Sequence, residues 1–310
     1  MKKIIFLLLI ALIIFACGEN HKFITDDDNP PDTTSTSSPF DGMTFGTDNS
    51  LEIMTWNLEH FPLKPTDTVS KAADIIVHLS VDIIAFQEIE NASSFSQLVS
   101  KVNQMDSLNT WASYRANTAY YDINLAYIYK TNVVQKNSIY EIQELEDDYW
   151  ALPRTPLVFD FNYNNVNILA IANHYKAMGD AESEARRRQA SADLYSYIGS
   201  HFATKNVILL GDLNDELTDS SDDNVFQVFL DDPSHYKFAD MTIAMGSSSN
   251  WSYPSWPSHL DHIMISNELF DEFANTGSTV ETIKPDVYIG FSTYIYQITD
   301  HRPVALKLYF

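Results

Sequence analysis

The apolar residues of this chain fall into short runs that stop abruptly at polar groups. Leu51 to Trp56 alternates and is rich in strand formers, then breaks into Asn57. Thr66 or Asp67 is placed to cap a helix that carries Val69, Ala72, Ala73, Ile76 and Leu79 at helical spacing. Val81 to Gln87 follows as a strand and delivers Glu88 at its end, so the chain opens β, α, β with polar groups at both strand ends. Further strands are predicted over 125–130, 156–163, 166–174 and 206–210, the middle two joined by an Asn-rich turn that suits an antiparallel hairpin. Asp180 to His201 reads as a helix with Ala190, Leu194, Tyr197 and Ile198 on one face, and LDHIMIS and PVALKLYF read as later strands. Hairpins mixed with crossover helices point to an α/β fold of two packed sheets flanked by helices, with the polar set on loops at one edge.

Three of the apolar runs between Ile208 and His301 lead into carboxylates: LLGDLND with Asp212 and Asn214, LDHIMIS with Asp261 and His262, and ITDHRPV with Asp300 and His301. An unpaired desolvated charge is costly, so acids at the ends of buried strands imply a shared cation or substrate. Metal-assisted catalysis is the reading that follows.

Composition changes the picture at the N-terminus. MKKIIFLLLIALIIFAC places two lysines before a twelve-residue apolar run and ends on Ala16 and Cys17, the build of a secretory signal and short for a permanent membrane span. Ile14 to Cys17 resembles the lipobox of bacterial lipoproteins, which implies lipidation at Cys17, a membrane anchor and a place at the cell envelope; a plain signal peptide is the alternative. Cys17 is the only cysteine, so no disulfide can form within one chain. Residues 18–48 are rich in Asp, Thr, Ser, Pro and Gly and read as a flexible tether, leaving 49–310 as one large domain. The net charge is −23; without Lys2 and Lys3, 17 basic residues face 42 acidic ones, a net of −25. Such a surface repels polyanions at long range and argues against tight nucleic-acid binding, but a divalent ion and a local basic cluster can reverse the sign at a site.

Seven segments, IMTWNLEH, IIAFQEIE, LPRTPLVFDF, IANHYK, ILLGDLND, LDHIMIS and TDHRPV, occur here in the order they take in the endonuclease/exonuclease/phosphatase superfamily, which the chain resembles over residues 50–310. The resemblance implies the DNase I-like fold, a four-layer sandwich of two mixed, largely antiparallel sheets flanked by helices. It implies Glu88 as principal metal ligand, with Asn57 and Asp300 beside it, and Mg²⁺ (or Mn²⁺ or Ca²⁺) as the ion, since hard ions prefer oxygen donors. By the same resemblance Asp212 orients or deprotonates the attacking water, Asn214 bonds a phosphoryl oxygen, and His301, held by Asp261, binds or protonates the phosphate. His174 resembles the second histidine of DNase I-like nucleases, whose acidic partner has no clean counterpart here, Asp122 being the candidate nearby, and Arg154 resembles the family's phosphate-binding arginine. Lys176, two residues past His174, could add a second cation on the same side.

Other polar residues carry weaker signals. His262 should point away from Asp261 on an extended segment, which suits a structural role. His60, His78, His201, His235 and His259 have no motif support and read as surface or packing residues. The EARRR run, Glu184 to Arg188, suits a solvated helix face better than a phosphate contact. Trp251, Tyr253 and Trp256 suit either core or a platform for a base or sugar. The implied activity is hydrolysis of nucleic-acid phosphodiesters, DNA ahead of RNA, by in-line attack of water. Alternatives are a phosphatase or phospholipase-type activity on small phosphoesters or headgroups, and a binding module without turnover. No protein partner is expected.

Overall fold

The computed structural model of the protein describes residues 37–145 and 154–310. The signal segment, Cys17 and the tether as far as residue 36 lie outside the described residues. Two six-stranded sheets face each other across an apolar layer. The first has the order β11 (Thr279–Thr282), β12 (Val304–Leu308), β1 (Leu51–Phe61), β2 (Ile83–Ile89), β4 (Asn124–Lys130), β3 (Trp111–Arg115). The second has the order β5 (Gln135–Glu141), β6 (Leu157–Tyr163), β7 (Val166–His174), β8 (Asn206–Asp212), β10 (Asp261–Ser266), β9 (Tyr236–Phe238). Every pairing is antiparallel except β1 with β2 and β7 with β8. Those two parallel pairs need crossovers, which contain α1 (Pro65–Leu79) and α3 (Ala181–His201). A second long helix, α2 (Ala92–Met105), packs beside α1, and short helices α4 (Gln227–Leu230), α5 (Met241–Ala244), α6 (Phe270–Ala274), α7 (Asp286–Ile289) and α8 (Phe291–Gln297) fill the later loops. This is the DNase I-like architecture, as the resemblance implies.

The period of two along each strand sorts the residues into layers. Ile53, Ile83, Ala85, Phe159, Ile168, Ala170, Ile208, Leu210, Ile263 and Leu306 point between the sheets. Tyr127 lies there too, its hydroxyl donating to the Ala170 carbonyl at 3.1 Å across the interface. Met54, Trp56, Ile84 and Phe86 face outward onto Ala72, Ala73, Ile76, Phe95 and Leu98. Leu169, Ile171, Val207, Leu209 and Met264 face outward onto Ala190, Leu194 and Ile198 of α3, the expected face of that helix. Tyr197, only partly buried, packs at its margin.

Three boundaries differ from expectation. β1 continues past Asn57 to Phe61, with an irregular stretch between the two that puts Glu59 and His60 at φ 36° and 49°. Neither Thr66 nor Asp67 caps α1; Pro65 stands in the first turn, where its missing N–H costs nothing, and Lys64 occupies the cap position. Residues 38–48, expected in the tether, are part of the folded unit. Phe40, Met43 and Phe45 are buried against the α1 layer, and Gly46 N donates to the Leu79 carbonyl at 2.8 Å. A Cβ on Gly46 would meet the Ser80 carbonyl oxygen at 1.9 Å, so this close approach requires glycine.

Candidate active site

The C-terminal ends of β1, β2, β7 and β8 and the start of β10 bring polar side chains to one edge of the sandwich. Parallel pairing sets His174 directly beside Asp212, and antiparallel pairing sets Asp261 opposite Asp212. Gly211 makes this possible, because a Cβ there would lie 2.0 Å from the Asn173 carbonyl oxygen of the neighbouring strand.

Asp212 is the hub. Its Oδ2 accepts from Asn57 Nδ2 at 2.8 Å and lies 3.5 Å from His174 Nε2 and 3.8 Å from His301 Nε2; its Oδ1 accepts from Asn214 N at 3.1 Å. Asn57 Nδ2 also donates to Glu88 Oε1 at 3.2 Å, so one amide from the first sheet ties together carboxylates of both. Asn214 sits at φ 54°, a left-handed conformation Asn tolerates, and its Nδ2 donates to the Tyr175 carbonyl at 3.2 Å. Burial, with Asp261 and Glu88 nearby, raises the Asp212 carboxyl to about 7 even though His301 opposes the shift.

His301 Nδ1 donates to Asp261 Oδ2 at 2.8 Å. Burial disfavours the imidazolium, but Asp261, Asp212 and Asp300 outweigh it and hold the His301 pKa well above the ordinary histidine value. Its backbone is fixed as firmly: Trp56 Nε1 and Tyr294 Oη donate to the His301 carbonyl at 3.3 and 2.6 Å. Thr299 Oγ1 donates to the Asn57 carbonyl at 2.8 Å and accepts from His301 N at 3.1 Å.

His174 behaves differently. Burial first, then Arg154 and His301, push its pKa well below the ordinary value, so it is a neutral imidazole. Its Nδ1 has no hydrogen-bond partner among the described residues; Asp122 is exposed beside Arg115 and does not serve it. Arg154 is buried, donates from Nη2 to the Tyr175 carbonyl at 3.0 Å, and is lowered to about 10 by burial despite the opposing charges of Glu88 and Asp212. Lys176 does not join the cluster: its Nζ donates to the Ala177 carbonyl at 2.9 Å and forms no ion pair with these acids among the described residues.

Several assignments change with tertiary structure. Glu59, not singled out in the sequence, accepts from Asp300 N on Oε2 at 3.1 Å and donates its own N–H to Asn57 Oδ1 at 2.9 Å. The signal was its place two residues after Asn57. His60 is exposed, yet its backbone N–H donates to Glu88 Oε2 at 2.9 Å and its ring meets Glu90 at 2.6 Å. Of the three aromatics, Tyr253 lies at the site, its ring centroid 5.0 Å from that of His301; Trp251 bonds the Ile243 carbonyl, and Trp256 is 79% exposed. Arg187 is not on a solvated face: it is buried and its Nε meets Asp215 Oδ2 at 2.7 Å.

The donor set suits a hard divalent cation. Glu59, Glu88, Asp212 and Asp300 crowd one edge, and burial followed by repulsion from Asp300 raises Glu59 to about 7. A cation beside Glu88, Asn57 and Asp300 would relieve that repulsion and take oxygen ligands. Ligand atoms of His60, Glu88 and Glu90 lie within 4.8 Å of one another, as do those of Asp212, Asp261 and His301. In the second group the 2.8 Å hydrogen bond already occupies the facing atoms of Asp261 and His301, which leaves the Glu88 side for an ion.

The family model described as "Endonuclease/Exonuclease/phosphatase family" matches residues 54–301, a span that includes every one of these groups. The chain belongs to the endonuclease/exonuclease/phosphatase family. No curated protein sequence matches it. Solved structures of similar fold include D. rerio TDP2 complexed with single strand DNA product, 12% identical with a TM-score of 0.61, covering 84% of this chain and 99% of that one. The human Nocturnin catalytic domain with bound sulfate anion is 16% identical with a TM-score of 0.61, covering 84% and 93%. A family protein from Bacteroides thetaiotaomicron is 15% identical with a TM-score of 0.60, covering 84% and 97%. This chain gathers its acids on one edge, with His174 Nε2 and His301 Nε2 both within 4 Å of the same Asp212 oxygen.

Proposed function

We propose that this protein is a divalent-metal-dependent phosphoric ester hydrolase that cuts nucleic-acid phosphodiesters, DNA ahead of RNA. One observation carries the reading: Asp212 stands within 4 Å of an amide, a neutral histidine and a histidine paired with a buried acid, contributed by both sheets. A bound Mg²⁺, Mn²⁺ or Ca²⁺ at Glu88, Asn57 and Asp300 would polarise a phosphoryl oxygen and neutralise developing charge. Asp212, its carboxyl raised by burial, accepts a proton from the attacking water or orients it. Asn214 gives one amide hydrogen to the Tyr175 carbonyl and, among the described residues, keeps the other for a phosphoryl oxygen, while buried Arg154 supplies positive charge near Glu88 and Asp212. His301, kept cationic by Asp261, bonds the phosphate and can return a proton to the leaving oxygen. The D. rerio TDP2 structure holds a single-strand DNA product, which supports a nucleic-acid substrate.

We further propose that Cys17 carries lipid and that the protein is exported and held at the cell envelope, the intervening chain acting as a leash. The net charge of −23 supports a second substrate reading, small phosphoesters or lipid headgroups, because it opposes polyanion approach. Incubation with supercoiled DNA, with and without EDTA, beside a panel of phospholipids and inositol phosphates decides between them. EDTA-sensitive nicking with no action on the panel is the expected result; turnover of the panel alone would replace DNA as the substrate.

A further inference from the structure

Behind the acids of the active edge lies a second polar cluster that the reaction described above does not use. Asp240, His259 and His262 are each at most 1% exposed, and their ligand-type atoms lie within 4.8 Å of one another. Three such groups could hold a metal, but their other partners exclude it. His259 Nδ1 accepts from Ser252 N at 3.3 Å, so its proton is on Nε2, which donates to Asp240 Oδ2 at 3.0 Å and has no lone pair to offer.

His262 is constrained on both sides. Its Nε2 lies 2.9 Å from the Asp215 carbonyl oxygen, a group that can only accept, so Nε2 carries a proton. Its Nδ1 lies 2.6 Å from Asp240 Oδ2, and Asp240 is ionised: His262 and His259 outweigh burial and hold it far below the ordinary carboxylate range. Both ring nitrogens therefore donate, and the ring is cationic. Phe226 and Phe238 meet it edge-on with centroids 5.5 and 6.0 Å away, walls that keep water from competing for these bonds.

We infer that His262 is a permanent buried imidazolium which, paired with Asp240, positions Asn214 and Asp261 for the reaction. The connections are short. Asp215, whose carbonyl His262 holds, follows Asn214 directly, and its side chain is gripped from the other side by Arg187, which also donates to the Lys176 and Met178 carbonyls at 2.8 and 2.7 Å. The loops that follow β7 and β8 are thus tied together. On the other side Asp240 Oδ1 accepts from Ile263 N at 3.0 Å, and Ser252, fixed by His259, accepts on Oγ from Asp261 N at 3.0 Å and on its carbonyl from Arg302 N at 2.7 Å. The strand carrying Asp261 and the segment carrying His301 are held from one buried ion pair. A lone charge at either position would be strongly destabilising, so the two members keep each other in place.

What the held groups do depends on the phosphodiesterase reading; the charge on His262 does not. The test takes the purified protein and two variants, His262→Gln and Asp240→Asn, with folding checked by circular dichroism and thermal midpoint. In wild type labelled with 15N-histidine, the His262 ring should show both nitrogens protonated at neutral pH; a neutral ring overturns the inference whatever the variants do. On bis-p-nitrophenyl phosphate with Mg²⁺, folded His262→Gln should lose at least about tenfold in kcat with KM held within about twofold, the mark of displaced reacting groups rather than lost binding. A folded variant with wild-type kcat overturns it. If wild type itself does not hydrolyse the ester, the functional reading fails, and amide hydrogen exchange at Asn214 and Asp215 then decides. Exchange at least about tenfold faster in His262→Gln supports the positioning role, and unchanged exchange ends it.

Discussion

Asp261 and His301, forty residues apart in the chain, share a 2.8 Å hydrogen bond at the floor of the site. Replacing Asp261 by Asn should remove the charge that raises His301 while keeping the shape. The imidazolium would then lose its proton at lower pH, so the alkaline limb of the pH–rate profile should move downward. Activity at neutral pH should fall by about a hundredfold or more. An unshifted limb would remove His301 as the group responsible for it.

Asp212→Asn keeps the size of the side chain, removes the proton acceptor, and turns one of the two oxygens that accept from Asn57 Nδ2 and Asn214 N into a donor. Phosphodiester hydrolysis should drop at least about a hundredfold, with circular dichroism showing the domain still folded. Activity equal to wild type would exclude Asp212 from the mechanism.

Glu88→Gln should act through the ion rather than through folding. Added Mg²⁺ or Mn²⁺ should be needed at concentrations at least about tenfold higher than for wild type, and EDTA should abolish activity of both proteins reversibly. Isothermal titration with each metal measures this independently of turnover.

At the opposite end of the first sheet, Glu52 is buried beside Asp82, whose Oδ1 lies 3.2 Å from Lys130 Nζ. Burial, then Asp82, raise the Glu52 carboxyl from 4.5 to about 8. The unfolded chain ionises first, so this group's contribution is complete below the unfolded value and is lost as pH climbs toward 8. Glu52→Gln should remove the slope, gaining on wild type by on the order of 2 kcal/mol between about pH 5 and about pH 8 in urea unfolding. A parallel pH dependence of the two proteins would show that Glu52 does not titrate in this window.

Phe40 is fully buried in the layer over α1. Phe40→Ala should cost about 3–5 kcal/mol of stability, and a chain beginning at residue 49 should unfold at markedly lower urea than one beginning at residue 38. Equal midpoints would return 38–48 to the tether.

The strands legible in the sequence were the buried ones, where alternation or an unbroken apolar run is forced by burial on one or both faces. The four that were not, β3, β5, β9 and β11, are the four edges of the two sheets. An edge strand pairs on one side only and is partly exposed, as in β5, so its side chains carry little apolar period. Glu59 was hidden for another reason: an irregular strand end with positive φ turns it toward Asp300, and no spacing rule anticipates that. Lys176 failed the reverse way, since strand parity ended at His174 and the loop folded its amine back onto Ala177.

From sequence alone, the acids, amides and histidines at strand ends were determined, and the period of two set Asp261 and His262 on opposite faces of their strand. Only the tertiary structure decided that Asn57 and Glu88 of one sheet meet Asp212 of the other, and that one imidazole at the site is neutral while another is cationic. Side-chain period is local, whereas distance between strands is set by how two sheets stack, and charge state by which buried neighbours that stacking supplies.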